Sequence, residues 1–83
     1  MRMSRGLCWV RRCLRGYGMR EFASEGGAHI LYCGPLAIRL INDYTLETWS
    51  HRETSSGVIT HYDTHEQLCD AVLFMGLEGM GVI

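Results

Sequence analysis

The chain has 83 residues, of which 47% are apolar and 20% are charged, and its formal net charge is −1. This composition predicts a single folded domain over residues 1–83 rather than a disordered chain. No signal peptide is recognisable, and no apolar run approaches the roughly 18–20 residues of a membrane-spanning helix. We therefore expect a protein of the cytoplasm that has no membrane partner and whose cysteines are reduced thiols.

The near-neutral total hides two oppositely charged parts of the chain. Six of the eight arginines lie in the first twenty residues, which contain no acid, and there is no lysine anywhere. Residues 21–83 carry nine acids and two arginines, a formal charge of −7. A basic segment attracts phosphates, whereas an acidic body repels them and attracts basic partners.

Apolar residues recur at helical spacing near the N-terminus, at Leu7, Val10 and Leu14. This spacing predicts an amphipathic helix over residues 4–15, with Ser4 as its N-cap. The interspersed arginines leave three interpretations of residues 1–18. They are a helix packed on a sheet, a loosely attached leader before a translation start at Met19, or an arm that binds nucleic acid.

From His29 onward the apolar pattern changes to a period of two, which is typical of strands. Four runs follow this pattern: HILYC (29–33), LAIRLIN (36–42), YTLETWSH (44–51) and VITHY (58–62). Because the connections are short, we predict an antiparallel meander of three to four strands over residues 29–62. The preceding residues 19–27 are expected to add only a short turn of helix.

A final helix is predicted over residues 63–75, with Gly76 ending it. Two candidate caps have the spacing of a capping box: Asp63 with Glu66, and Thr64 with Gln67. The predicted fold is therefore a two-layer α+β domain of order α-β-β-β-β-α, with an N-terminal and a C-terminal helix.

Residues His61, His65 and Cys69 recur at intervals of four and are the candidate metal ligands. Zinc accepts such ligands, but structural zinc sites usually have close cysteine pairs and four ligands. We interpret His65 and Cys69 instead as the border of the packed helix face, and we expect neither metal nor cofactor. No nucleophile elbow, phosphate-binding glycine loop or catalytic cysteine motif is present, so we expect no enzymatic activity.

One side of the final helix is predicted to carry an acidic stripe, with apolar side chains pointing outward beside it. If both helices cover one face of the sheet, the other face keeps apolar groups, including Ile41, Trp49 and Ile59, beside Arg39, Glu47 and His61. Acidic groups around apolar anchors predict a site for a basic protein partner, although a solvated helix face explains the stripe equally well. The candidate contact residues are Glu47, Trp49, Asp63, Glu66, Asp70, Leu73 and Phe74.

The compact strand layout of residues 29–62 and the passage YDTHEQLCDAVLFMGLEGMG, within residues 61–81, resemble small phage-encoded anti-CRISPR proteins. The shared feature is a strand that leads to a capped helix and a glycine-rich tail. This resemblance implies a non-enzymatic inhibitor in the host bacterial cytoplasm. It would bind a CRISPR-Cas effector subunit and block its DNA-binding site with an acidic surface that imitates DNA. The basic first twenty residues depart from that acidic pattern.

The start of the final helix also resembles HicB-like antitoxins, in which a strand leads into a T-x-E helix that Thr64 and Glu66 match. The Pro-Asp turn of that family is missing. An antitoxin of this kind, or a small DNA-binding regulator that uses the arginine-rich N-terminus, is the alternative function. Direct nucleic-acid binding is disfavoured because the acidic body repels phosphates.

Overall fold

The computed structural model describes residues 3–24, 26–53 and 56–83. Helix α1 spans Arg5–Gly16 and helix α2 spans His65–Gly79. Between them lie five strands: β1 (Arg20–Ala23), β2 (His29–Cys33), β3 (Leu36–Asn42), β4 (Thr45–Ser50) and β5 (Val58–His61). The predicted α+β class is confirmed, with one more strand than the upper limit of our prediction. Within the described ranges, neither helix is long and apolar enough to cross a membrane.

Helix α1 begins as the sequence predicts. The Ser4 hydroxyl accepts a hydrogen bond of 3.1 Å from the backbone N–H of Leu7, which satisfies one of the free donors at the helix start. The face formed by Leu7, Val10 and Leu14 is buried in the core, while the arginines occupy the other sides. Of the interpretations of residues 1–18, the packed helix is the one that the structure shows for residues 5–16, whose apolar face joins the core with side chains of the sheet; residues 1 and 2 lie outside the described part of the chain.

Strand β1 replaces the turn of helix that was expected within residues 19–27, and that expectation is wrong. The strand pairs antiparallel with β2 and places Phe22 opposite Ile30. It has only four residues, so a period of two is too short to recognise in the sequence. The pairing with β2 and the ion pairs of Glu21 define it instead. The sheet consequently starts at Arg20 rather than at residue 29.

The five strands form an antiparallel meander in which each strand pairs with the next along the chain. At the β2–β3 turn Gly34 has a φ of +61°, and the following Pro35 has a fixed negative φ. This combination is that of a type II′ turn, which suits a two-residue hairpin. At the β3–β4 turn the Asn42 side chain accepts a 2.9 Å hydrogen bond from Tyr44 N, and the register shifts at the end of β3.

Both helices pack on the same face of this sheet, and they run parallel to each other. A methyl group added to Gly6 of α1 would lie 3.1 Å from Cys69 Sγ near the start of α2, whereas Leu14 meets Gly76 near the other end. The core consists of apolar side chains from both helices and from β2, β3 and β4, including Leu7, Leu14, Leu31, Ile38, Leu40, Leu46, Leu68 and Val72.

Helix α2 starts with the predicted capping box but ends later than predicted. The Thr64 hydroxyl accepts from Gln67 N at 3.2 Å, and the Gln67 side chain accepts from Thr64 N at 3.3 Å. The predicted end before Gly76 is wrong, because the helix continues to Gly79. A Cβ on Gly76 would lie 2.7 Å from the Leu14 side chain, so this glycine serves close helix packing rather than termination.

The Gly34→Ala variant should lower the free energy of unfolding by about 2–4 kcal/mol. Alanine is strained at a φ of +61°, and its Cβ would lie 2.2 Å from the Gly79 carbonyl oxygen. Urea unfolding followed by circular dichroism measures the loss. Gly26→Ala is the matched control, since a Cβ there meets nothing within 4 Å. Equal stability of the two variants would contradict the account of this turn.

Candidate functional site

The predicted contact residues lie on two opposite sides of the molecule. Glu47 and Trp49 are on β4, paired across the sheet with Arg39 and Ala37, and they point away from the helices. The other predicted residues lie on α2 or directly before it: Asp63, Glu66, Asp70, Leu73 and Phe74. A single flat interface cannot include both groups, so they belong to two separate surfaces.

The exposed side of α2 carries acidic residues as its only charged groups. Glu66, Asp70 and Glu78 are exposed at spacings of four and eight residues, and Phe74, which is 58% exposed, lies between them. Residues four apart share one side of a helix, so these side chains form one row, which we call the acidic row. Sequence-based prediction ended the helix at Gly76 and therefore omitted Glu78.

Two predicted members of this surface differ from the acidic row. Asp63 is exposed but precedes the N-cap, and its backbone N–H donates to the Gln67 side chain at 3.1 Å. Leu73 is half-buried and packs against the core, so it is not an outward anchor of the kind that Phe74 is.

A groove between the helices borders the acidic row, lined by Trp9 of α1 and by acidic residues of α2. Its exposed tryptophan was not among the predicted contact residues.

The imidazole of His65 connects the starts of both helices to the β3–β4 turn. Its Nδ1 donates to the Asp43 carbonyl oxygen at 2.7 Å, which leaves Nε2 to accept from the Ser4 hydroxyl at 2.5 Å. Cys69 Sγ lies 3.4 Å from the same Nε2. Burial is the main cause that raises the pKa of the Cys69 thiol, and a thiol with a raised pKa is a poor nucleophile.

The predicted row of metal-ligand candidates is divided between two elements. His61 lies on β5, where its Nδ1 is 2.8 Å from the Thr45 hydroxyl, while His65 and Cys69 lie together on α2. Across the parts of the chain that the structure describes, no three His, Cys, Asp or Glu side chains are grouped so that they could hold a metal ion. Only the interval from His65 to Cys69 is therefore one turn of a helix, whereas the interval from His61 to His65 joins a strand to the helix.

No helix or strand of the residues that the structure describes covers the face of the sheet opposite the helices, and apolar side chains lie on it, as expected. It is formed by alternate residues of the five strands and includes Phe22, Ile30, Tyr32, Ala37, Trp49 and Ile59. We call it the open face. The rings of Phe22 and Tyr32 meet edge to face, with their centroids 5.3 Å apart. The Arg39–Glu47 ion pair, with a distance of 2.9 Å between Nη2 and Oε1, lies in the middle of this face. The predicted residues Glu47 and Trp49 belong to this surface.

The arginines of α1 are partly neutralised within the fold. The Glu21 carboxylate accepts hydrogen bonds from Arg11 Nε at 2.5 Å and Arg15 Nη2 at 3.1 Å, and it contacts His29 Nδ1 at 2.8 Å. Burial acts to raise the pKa of Glu21, but the hydrogen bonds and charges of these partners outweigh it and hold the pKa below its ordinary value. Arg11 and Arg15 therefore have a structural role that the sequence pattern did not indicate.

Comparisons with models of known protein families, with curated proteins and with solved structures found no match to this chain. The acidic row and the open face are thus the two surfaces on which a functional assignment depends. One is charged and lies on α2, and the other is largely apolar and lies on the opposite side of the sheet.

The Glu21→Gln variant should be about 2 kcal/mol less stable than the wild type near neutral pH, because it leaves the half-buried Arg11 without a charged partner. The folded-state pKa of Glu21 is lowered. The stabilisation is therefore complete above the ordinary pKa of about 4.3 and is lost as pH falls through the lower folded-state pKa. Urea unfolding across this pH range should show the difference between the two proteins shrinking in acid. The exposed Glu53→Gln serves as the control, and a difference that does not change with pH would contradict this role of Glu21.

Proposed function

We propose that this protein is a non-enzymatic inhibitor that docks the acidic row of α2 on the basic nucleic-acid-binding surface of a protein partner. A CRISPR-Cas effector subunit is the favoured partner. The observation that carries the proposal is the exposure of Glu66, Asp70 and Glu78 around Phe74 on a helix without any arginine or lysine. Binding there would block access of DNA to the partner.

The spacing of the row suits a surface that normally holds phosphates. Four residues of helix advance by about 6 Å, so the carboxylates follow one another along a line as separate negative charges. Arginine and lysine side chains that contact phosphates can contact carboxylates through the same charge-assisted hydrogen bonds. The acidic row therefore competes for the groups that bind DNA.

Phe74 adds a short-range contribution to this long-range attraction. Exposed aromatic side chains are common anchors at protein interfaces, and the surrounding charges steer the encounter and determine its orientation. A large apolar side chain that remains 58% exposed between acids has no role in the core of this protein. Its position supports a binding surface over a merely solvated helix side.

The charge distribution of the fold supports protein binding over the alternative of a DNA-binding regulator. Arg11 and Arg15 pair with Glu21, and Arg39 pairs with Glu47. DNA-binding domains usually present a continuous basic face, and the two carboxylates of these pairs offset two of the three arginine charges. No structural observation favours the alternative of a HicB-like antitoxin.

Reversing two charges of the acidic row, as Glu66→Lys with Asp70→Lys, should weaken inhibition by roughly tenfold or more. The reason is that lysines repel a basic partner surface. The measurement is DNA binding by a panel of purified CRISPR-Cas effector complexes, titrated with the protein at several salt concentrations. The matched control is Asp43→Lys with Glu53→Lys, which changes the net charge equally at exposed positions outside α2. Equal loss in both variants would show that net charge alone matters, and no loss in the first would contradict the docking surface.

The intact protein should bind duplex DNA more weakly than about 100 µM at physiological salt, a limit typical of weak non-specific binding. Fluorescence anisotropy with a labelled duplex measures this. The regulator alternative predicts tighter binding that is lost when the exposed Arg5 and Arg12 are both changed to Glu. Tight, arginine-dependent DNA binding would therefore favour that alternative over the inhibitor.

A further inference from the structure

Strand β5 forms one edge of the sheet and is exposed on both of its sides. Val58 and Ile59 point to opposite faces, and each is 63% exposed. Residues 56–62, SGVITHY, contain no acid and no arginine. The opposite edge, β1, carries Arg20 and Glu21. Charged residues on an edge strand hinder pairing with other chains, so β5 is the edge that lacks this protection.

The backbone of β5 presents hydrogen-bonding groups outward at alternate residues. Tyr62 N donates to Tyr44 O at 2.7 Å, just beyond the β4–β5 ladder. In an antiparallel ladder alternate residues point their N–H and C=O groups towards the same neighbour. Thr60 and Val58 therefore bond towards β4, while Ile59 and His61 direct their backbone groups away from the sheet. In the described part of the chain, these outward groups have no backbone partner.

We propose that β5 pairs antiparallel with β5 of a second copy, about a two-fold axis that passes beside Thr60. This register places Ile59 opposite His61 of the second copy, and His61 opposite its Ile59. Both are hydrogen-bonded pairs, so up to about four hydrogen bonds form across the axis. The two five-stranded sheets become one continuous sheet that has both open faces on the same side.

The side chains brought together by this register are favourable neighbours. Thr60 lies directly opposite its own copy, and Val58 lies opposite Tyr62 of the second copy. Threonine pairs and aromatic–β-branched pairs both stabilise adjacent strands, by roughly 0.2–1 kcal/mol per pair. Both are non-hydrogen-bonded pairs, in which side chains approach more closely. Pairing the segment with itself opposes no like charges, because it contains no acid or arginine.

A second copy fits this edge better than a strand of a charged partner does. An uncharged edge gives a charged strand no electrostatic complement, whereas the self-pairing register uses all four outward backbone groups of each copy and places Thr60 opposite Thr60 and Val58 opposite Tyr62. The interface is small, since only one short strand from each copy takes part. We expect a dissociation constant on the order of 100 µM, as is typical of weak, transient contacts. The inference is independent of the function proposed for the acidic row.

Sedimentation velocity over about 10 µM to about 1 mM should show a monomer–dimer equilibrium for the wild type. Thr60→Lys and Thr60→Glu should each be monomeric, because the two-fold axis places identical charges opposite one another. An equimolar mixture of these two variants should restore the dimer, since opposite charges then face each other. Phe22→Lys and Phe22→Glu, on the exposed opposite edge, are the matched controls and should leave the equilibrium unchanged.

Amide exchange of the wild type gives a second measurement that needs no variant. The N–H groups of Ile59 and His61 should become protected from solvent exchange as protein concentration rises, whereas β1 amides should not change. A wild type that stays monomeric at about 1 mM would overturn the proposal and leave the edge to a strand of another protein. The same conclusion would follow if the mixed Thr60 variants failed to associate or if the Phe22 variants abolished the dimer.

Discussion

The architecture depends on the close approach of α2 to both α1 and the β2–β3 hairpin. Gly76 lets α2 lie against Leu14, and the backbone of Gly79 lies against the turn at Gly34, where a Cβ would come within 2.2 Å of the Gly79 oxygen. These contacts hold the second half of α2 on the sheet and keep it helical through Gly79. The same contacts extend the exposed side of the helix by one turn and so place Glu78 in line with Asp70.

With both helices on one face, none of the elements in residues 3–24, 26–53 and 56–83 is left to cover the other face. Two layers therefore bury one side of the sheet and leave the open face and the β5 edge to solvent. Exposed apolar patches and unprotected edges favour contacts with other chains. The exposed apolar side chains thus follow from the placement of the helices rather than from a poorly packed core, because Leu31, Cys33, Ile38 and Leu40 are buried on the inner face of β2 and β3.

Strong local periodicity made most of the fold predictable from the sequence. The Leu7, Val10 and Leu14 pattern fixed α1, and the alternating runs fixed β2 and β3 at their observed bounds. Strand β1 was missed because its identity depends on pairing with β2 and on contacts of Glu21 with α1, not on its own composition. The end of α2 was missed because glycine commonly follows the last residue of a helix. Gly76 instead lies inside the helix, where the absence of a Cβ leaves room for the side chain of Leu14.

The candidate site was predictable within each element but not between elements. The helical period identified Glu66 and Asp70 as neighbours, and strand alternation placed Glu47 with Trp49. Neither pattern indicates whether the exposed side of the helix and the exposed side of the strand face the same direction, because that relation depends on long-range packing. The predicted single surface consequently divided into two that point in opposite directions.

The two proposals, docking through the acidic row and pairing through the β5 edge, rest on different physical interactions. In the proposed docking the acidic row would attract a basic partner over distance, an attraction that salt weakens, whereas the proposed pairing at the β5 edge would act only on contact, through backbone hydrogen bonds and apolar burial. Because α2 contacts the sheet mainly at β2 and β3, we expect pairing at the β5 edge to leave the acidic row uncovered. Two copies joined there would carry two acidic rows, so a partner that has two or more basic sites would bind the dimer more tightly than the monomer. Weak self-association at the edge would then be reinforced by partner binding at the row.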